Sequence, residues 1–170
     1  MFDKNLLDKA QFLFEIANKA QIKIISAESC TGGLLAALIT EIAGASQIFQ
    51  GGVIVYSDQL KEKILGVDKK LLQQYGAVSA QVAEAMAKGA INNFAGDLSI
   101  AITGIAGPAT DNSAKEIGLV YIASYNKLNE KLLSNKFNFS GNRNQIRIAS
   151  IASAMDILIQ QTNKINYGKN

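Results

Sequence analysis

Apolar residues recur at helical spacing from the start of the chain. Leu6, Ala10, Leu13 and Ala17 fall on one face, with Leu7 and Phe14 beside them, and predict a helix over 4–21. The β-branched run Ile22 to Ser26 predicts a short strand, and Leu34, Leu35, Leu38, Ile39 and Ile42 predict a helix over 31–43. Gly51 to Tyr56 predicts a second, buried strand. Two helical pieces follow, over 58–65 and 69–75, with Gly66 between them. Ser79 is a candidate N-cap for a helix to about 94, with Val82, Ala83, Met86, Ala90 and Phe94 facing inward. Leu98 to Ile102 predicts a third apolar strand, and 117–125 and 131–139 predict two more, the second an edge. The last helix is expected over 145–160, with Ile148, Ala152, Met155 and Ile159 on its buried stripe.

Continuously apolar strands alternating with helices imply an α/β sheet covered on both faces. The back-to-back strands near 117–139 add an antiparallel pair, so the sheet is mixed. Ligands in open α/β sheets sit beyond the carboxyl ends of the strands, which singles out the loops 26–33, 56–61 and 103–118. No linker, repeat or low-complexity tract divides the 170 residues, so one domain over 1–165 with a polar tail at 166–170 is expected.

Composition narrows the chemistry. The chain has no histidine, so a Ser-His-Asp triad, a Cys-His dyad and a His-ligated metal are all excluded. One cysteine, Cys30, excludes an internal disulfide and a Cys-rich zinc site. The net charge is a mild +3, with scattered basic residues and no basic stripe interleaved with aromatics, which argues against a nucleic-acid partner. No apolar stretch reaches the roughly 18 residues of a membrane span, and charges interrupt the first helix where a secretory signal would be apolar. A cytoplasmic protein without membrane contact is expected.

The first loop runs Ser26-Ala27-Glu28-Ser29-Cys30-Thr31-Gly32-Gly33. A strand end, hydroxyls, two glycines and a helix start place free N–H groups beside a nucleophile, the arrangement of an oxyanion hole. The same residues also fit an ordinary cap by Ser29 or Thr31. A Walker A loop is excluded, because no Gly-Lys-Ser/Thr follows. In the second loop Lys61 lies one helical turn after Ser57, and a lysine whose pKa is lowered by burial serves as a base for serine. A solvated surface lysine is the alternative. The third loop, Thr103-Gly104-Ile105-Ala106-Gly107-Pro108, allows backbone to approach a ligand closely, or is simply a tight turn. Cys30 reads as a small buried packing residue beside Ser29.

Taken in order, the segments Ala27–Gly33, Gly52 with Tyr56-Ser57, Lys61, Leu65-Gly66-Val67, Tyr75 to Ser79 and Gly104 to Pro108 resemble the CinA carboxy-terminal domain family, also known as PncC, in its stand-alone form. The resemblance covers the chain from the first helix to about residue 162. It implies a three-layer α/β/α sandwich with a mixed, mostly parallel sheet. It implies a nicotinamide-nucleotide amidase, cleaving the carboxamide of nicotinamide mononucleotide to nicotinic acid mononucleotide and ammonia in pyridine-nucleotide salvage. No metal and no cofactor is implied, and a homodimer or higher oligomer is in keeping with it. The family nucleophile maps onto Ser29, its lysine onto Lys61 and its tyrosine onto Tyr56, with Lys61, or Tyr56 relayed through Lys61, as base. The amides of Cys30, Thr31 and Gly32, at the turn that ends in Gly33, would hold the oxyanion. The loop Gly104, Ile105, Ala106 and Gly107, together with Arg143, would bind the phosphate. Two departures stand out: Asp58 replaces the usual asparagine, and the 109–120 stretch lacks the usual glycines and proline. They keep two alternatives in view, an amidohydrolase on a different small amide and a non-catalytic nucleotide-binding or competence/DNA-damage interaction domain.

Overall fold

The computed structural model describes residues 2–108 and 115–167. Its first helix, α1 (Lys4–Ala20), is capped by the Asp3 carboxylate, which accepts from Leu6 N at 2.9 Å. It is followed by β1 (Ile24–Glu28), α2 (Leu34–Thr40), a 3₁₀ turn (Ala45–Gln47), β2 (Phe49–Ile54), α3 (Asp58–Leu65), α4 (Lys69–Tyr75), α5 (Ala80–Asn93), β3 (Leu98–Gly104), β4 (Leu119–Asn126), β5 (Lys131–Asn138) and α6 (Arg143–Tyr167). The strands form one sheet in the order β2-β1-β3-β4-β5. β1 pairs in parallel with β2 and β3, whereas β3–β4 and β4–β5 are antiparallel, so only β4 runs against the rest. This is the mixed, mostly parallel sheet of an α/β/α sandwich.

The pleat divides each strand between two cores. On one face Ile24, Leu98, Ile100, Ile102, Val120 and Ile122 meet Leu13, Leu35, Leu38, Ile151, Met155 and Leu158 of α1, α2 and α6. On the other face Ile25, Ala27, Ala101 and Ala123 meet Leu65, Val82, Ala83, Met86 and Ala90 of α3 and α5. The small residues on that second face let α5 lie close across β3 and β4. Gly89 does the same between helices, since a Cβ there would overlap the Leu65 carbonyl of α3. No helix among the described residues is long and apolar enough to cross a membrane.

Several expectations shift. The first strand begins two residues late, at Ile24, because Gln21 adopts a left-handed conformation (φ 57°) and Ile22 N still donates to Ala17 O at the end of α1. Ser26 therefore lies inside the strand and Glu28 at its end. The second strand spans Phe49–Ile54 and is an edge, half-buried and exposed by turns, not a buried strand. α2 is shorter than 31–43, because the chain turns through Gly32 and Gly33 before the helix begins. Phe94 caps α5 outside the helix and is exposed rather than inward. α6 is longer than expected, and its buried face is Ile146, Ile151, Ala154, Met155 and Leu158, with Ile148, Ala152 and Ile159 half-buried against it. The helix is packed by α1, α2 and the sheet together, so its buried face is wider than one stripe. It also runs through residues 166 and 167 of the expected tail, and 168–170 lie outside the described residues.

Candidate active site

The site is built at the carboxyl ends of β1, β2 and β3. The β1–β2 ladder extends to a bond from Val55 N to Glu28 O (2.8 Å), and the next amide, Ser29 N, donates to Ile102 O of β3 (3.0 Å). Ser29 is thus pinned where the first two strands leave the sheet. From there the chain reverses in a turn, with Gly32 N donating to Ser29 O (3.1 Å) and Leu34 N to Thr31 O (3.3 Å). Gly32 and Gly33 have φ of 60° and 92°, conformations that side chains rarely adopt.

Neither Ser29 nor Thr31 caps α2. Glu28 does so, with a side chain only 1% exposed. Its carboxylate accepts from Gly33 N (3.0 Å), Leu35 N (3.1 Å) and Ala36 N (2.9 Å). An internal anion therefore already occupies the positive end of this helix. The amides of Gly32 and Gly33, expected to face the substrate, are both engaged within the protein. Among the described residues, the Thr31 amide and the Ser29 hydroxyl have no partner, and the Cys30 amide reaches only its own thiol.

The second loop supplies the base candidate. Ser57 caps α3 by accepting from Leu60 N, so Lys61 falls one turn into the helix and points inward. It is 1% exposed, whereas Lys63 is solvated. Burial lowers the Lys61 pKa from its ordinary 10.5, and the Asp58 carboxylate, with Oδ1 3.5 Å from Nζ, opposes that shift. Lys61 is within electrostatic reach of Cys30, beside Ser29, and of Tyr56. It makes no hydrogen bond to Ser29 Oγ in this structure. Burial, helped by the Glu28 charge, pushes the Cys30 thiol up to about 12, so the cysteine stays protonated and inert.

The third loop and α6 close the arrangement. Arg143 Nη1 donates to Gly107 O (2.6 Å) and Nη2 to Tyr56 Oη (3.1 Å), which joins the second loop to the third. Tyr56, 58% exposed, therefore meets Arg143 rather than Lys61 through its hydroxyl. In the 104–107 loop Ile105 N is spent on Leu119 O (2.9 Å), while the amides of Ala106 and Gly107 have no partner among the described residues. The Lys115 ammonium donates to Tyr75 O (2.9 Å) and Val78 O (2.6 Å), tying the loop before β4 to the α4–α5 turn. Residues 109–114, where the loop departs from the usual pattern, lie outside the described residues. Among the described residues no cluster of three or more His, Cys, Asp or Glu side chains is placed to hold a metal ion.

Two residues of this site escaped the sequence reading. Glu28 stood in the first loop without a role. Arg147 lies one helical turn after Arg143, and its Nη2 donates to Thr31 O at 2.7 Å. The i,i+4 spacing of two arginines at the start of a helix was the available signal.

Comparison with known proteins gives a consistent result. The family model described as the CinA C-terminal domain matches residues 7–162. A CinA-like protein of Endomicrobium trichonymphae is 41% identical over 157 residues, covering 92% of this chain and 36% of the relative. The chain thus spans about a third of the length of the curated relatives it matches. The crystal structure of a competence/damage inducible protein from Agrobacterium tumefaciens superposes with a TM-score of 0.91 at 34% identity, covering 96% of this chain and 98% of that one. A competence-damaged protein (CinA) superfamily structure from Escherichia coli gives 0.89 at 30% identity, covering 95% and 94%.

Proposed function

The chain belongs to the CinA C-terminal domain family, and on that premise we propose that it hydrolyses the carboxamide of nicotinamide mononucleotide, with Ser29 as nucleophile and Lys61 as base. The observation that carries this reading is a buried lysine of lowered pKa within electrostatic reach of Cys30, the residue that follows Ser29 at the carboxyl end of β1. In a chain without histidine Ser29 and Lys61 are the available nucleophile and base.

The neutral Lys61 amine takes the Ser29 proton, and Oγ attacks the amide carbon. The amides of Cys30 and Thr31 hold the oxyanion that forms. As the intermediate collapses, the Lys61 ammonium returns its proton to the departing nitrogen and ammonia leaves. Water then attacks the acyl-enzyme, giving its proton to Lys61, and the acid is released with Ser29 restored. Arg143 and the amides of Ala106 and Gly107 take the phosphate. Tyr56, fixed by Arg143, lines the same cleft.

The test is ammonia release from nicotinamide mononucleotide by the wild type, Ser29→Ala and Lys61→Ala, with a chelator present. The reading requires chelator-resistant turnover that both substitutions abolish. A folded wild type without turnover refutes it for this substrate, and a panel of small amides then tests a shifted specificity. A binding role is favoured by one observation, the Asp58 carboxylate 3.5 Å from Lys61 Nζ, which opposes the effect of burial and favours the charged ammonium. That role predicts nucleotide affinity unchanged in Ser29→Ala and no turnover on any amide.

A further inference from the structure

The three loops of the site belong to different parts of the chain, yet one helix ties them together. Residues 143 and 147 are four apart, so both guanidinium groups project from the same side of α6. Arg143 takes the 56 and 107 loops. Arg147 takes the nucleophile turn, through a charge-assisted bond to the carbonyl of Thr31. Its Nη2 also lies 3.5 Å from where a Gly32 Cβ would be, so it rests against the turn itself. Both arginines are close enough for their charges to act on the Cys30 thiol. The turn is gripped from its far side by Glu28, through the amides of Gly33, Leu35 and Ala36. Just before both anchors along the chain lie the amides of Cys30 and Thr31, which donate to no other residue among those described. Their direction depends on the backbone torsions of residues 29–32, and the Thr31 carbonyl is the one group in that stretch held by a side chain.

We propose that Arg147 is a positioning residue, whose hold on the Thr31 carbonyl aims the Cys30 and Thr31 amides and the Ser29 hydroxyl into the site. The proposal deepens the amidase reading and rests on it for its kinetic consequence. It separates the two arginines by role: Arg143 faces the substrate anion, and Arg147 acts through the turn.

The test compares Arg147→Met, which removes the donor, with Arg147→Lys, which keeps one donor and the charge. Positioning predicts a fall in kcat on the order of 100-fold in Arg147→Met, with KM within about twofold, and partial recovery in Arg147→Lys. Backbone amide spectra of the free protein provide a readout independent of substrate. The Cys30, Thr31 and Gly32 amides should shift and exchange faster in Arg147→Met, while Leu35 and Ala36, held by Glu28, stay protected. A raised KM with unchanged kcat and unchanged turn amides overturns the proposal and makes Arg147 a substrate contact. Unchanged kinetics with unchanged amides overturns it as well. If the wild type has no amidase activity, the amidase reading fails and the amide spectra decide the positioning role alone. If Arg147→Met does not fold, Arg147→Lys is judged by the same two readouts.

Discussion

Asp58 is the clearest place to test the electrostatics of the site, because one atom pair dominates. Its Oδ1 lies 3.5 Å from Lys61 Nζ. At that distance two unit charges interact by about 1.2 kcal/mol in water, and by several times more at a lower effective dielectric. Asp58 is 59% exposed, so the watery limit applies. Removing the carboxylate while keeping the side-chain shape, as in Asp58→Asn, withdraws support from the ammonium. The Lys61 pKa, already lowered by burial, should fall further, the lost interaction of at most ~1.2 kcal/mol changing the ammonium-to-amine ratio by less than about tenfold. The assay is a pH titration of the Lys61 ¹³Cε resonance in lysine-labelled protein, which needs no substrate. Strong salt should shrink the difference between wild type and variant, because the partner is exposed. In turnover, the acid limb of kcat/KM should move down by the same amount. The rate well below that pKa should rise, by less than about tenfold, as the neutral amine becomes more abundant. An unchanged or raised Lys61 pKa in Asp58→Asn refutes the reasoning, because it would mean the carboxylate does not stabilise the charge.

Three further outcomes are expected. Glu28→Gln removes one of two oxygens that satisfy three amides, that of Leu35 buried and those of Gly33 and Ala36 partly so, and should cost about 1–3 kcal/mol in urea unfolding. Gly89→Ala drives a methyl into the Leu65 carbonyl, so α3 must move off α5. A loss of ~1–3 kcal/mol is expected, with a shifted Lys61 ¹³Cε resonance, since α3 carries that lysine. Cys30→Ala separates two opposed pH effects. The folded thiol keeps its proton to about 12 against 9.0 unfolded, so above pH 9 its burial makes stability fall as pH rises. Lys61 has a folded pKa below its unfolded 10.5, so between those two values stability rises with pH as the unfolded chain binds the extra proton. Denaturant unfolding of Cys30→Ala should therefore gain on wild type above pH 9, by at most about 1.4 kcal/mol per pH unit.

Much of this protein can be read from local pattern. The face Leu6, Ala10, Leu13 and Ala17 is the buried face of α1, and the pieces at 58–65 and 69–75 are α3 and α4 with the same bounds. Ser79 caps α5. These features depend on residues a turn apart, so the chain's own periodicity determines them. The order of glycine-bearing loops is equally local, and family membership was legible from it. What the sequence could not determine was set by partners distant along the chain. β2 is an edge because of where it pairs, which its apolar GGVIVY run does not disclose. A lysine inside an ordinary-looking helical segment is buried because α3 lies against α5. The cap of α2 comes from a carboxylate folded back over the turn, because the two glycines leave the helix without a side-chain cap of its own. Arg147 reaches Thr31 across 116 residues of sequence. Each is a contact between segments that only the closed sandwich brings together. Burial and hydrogen bonding are properties of that packing, whereas periodicity is a property of the chain alone.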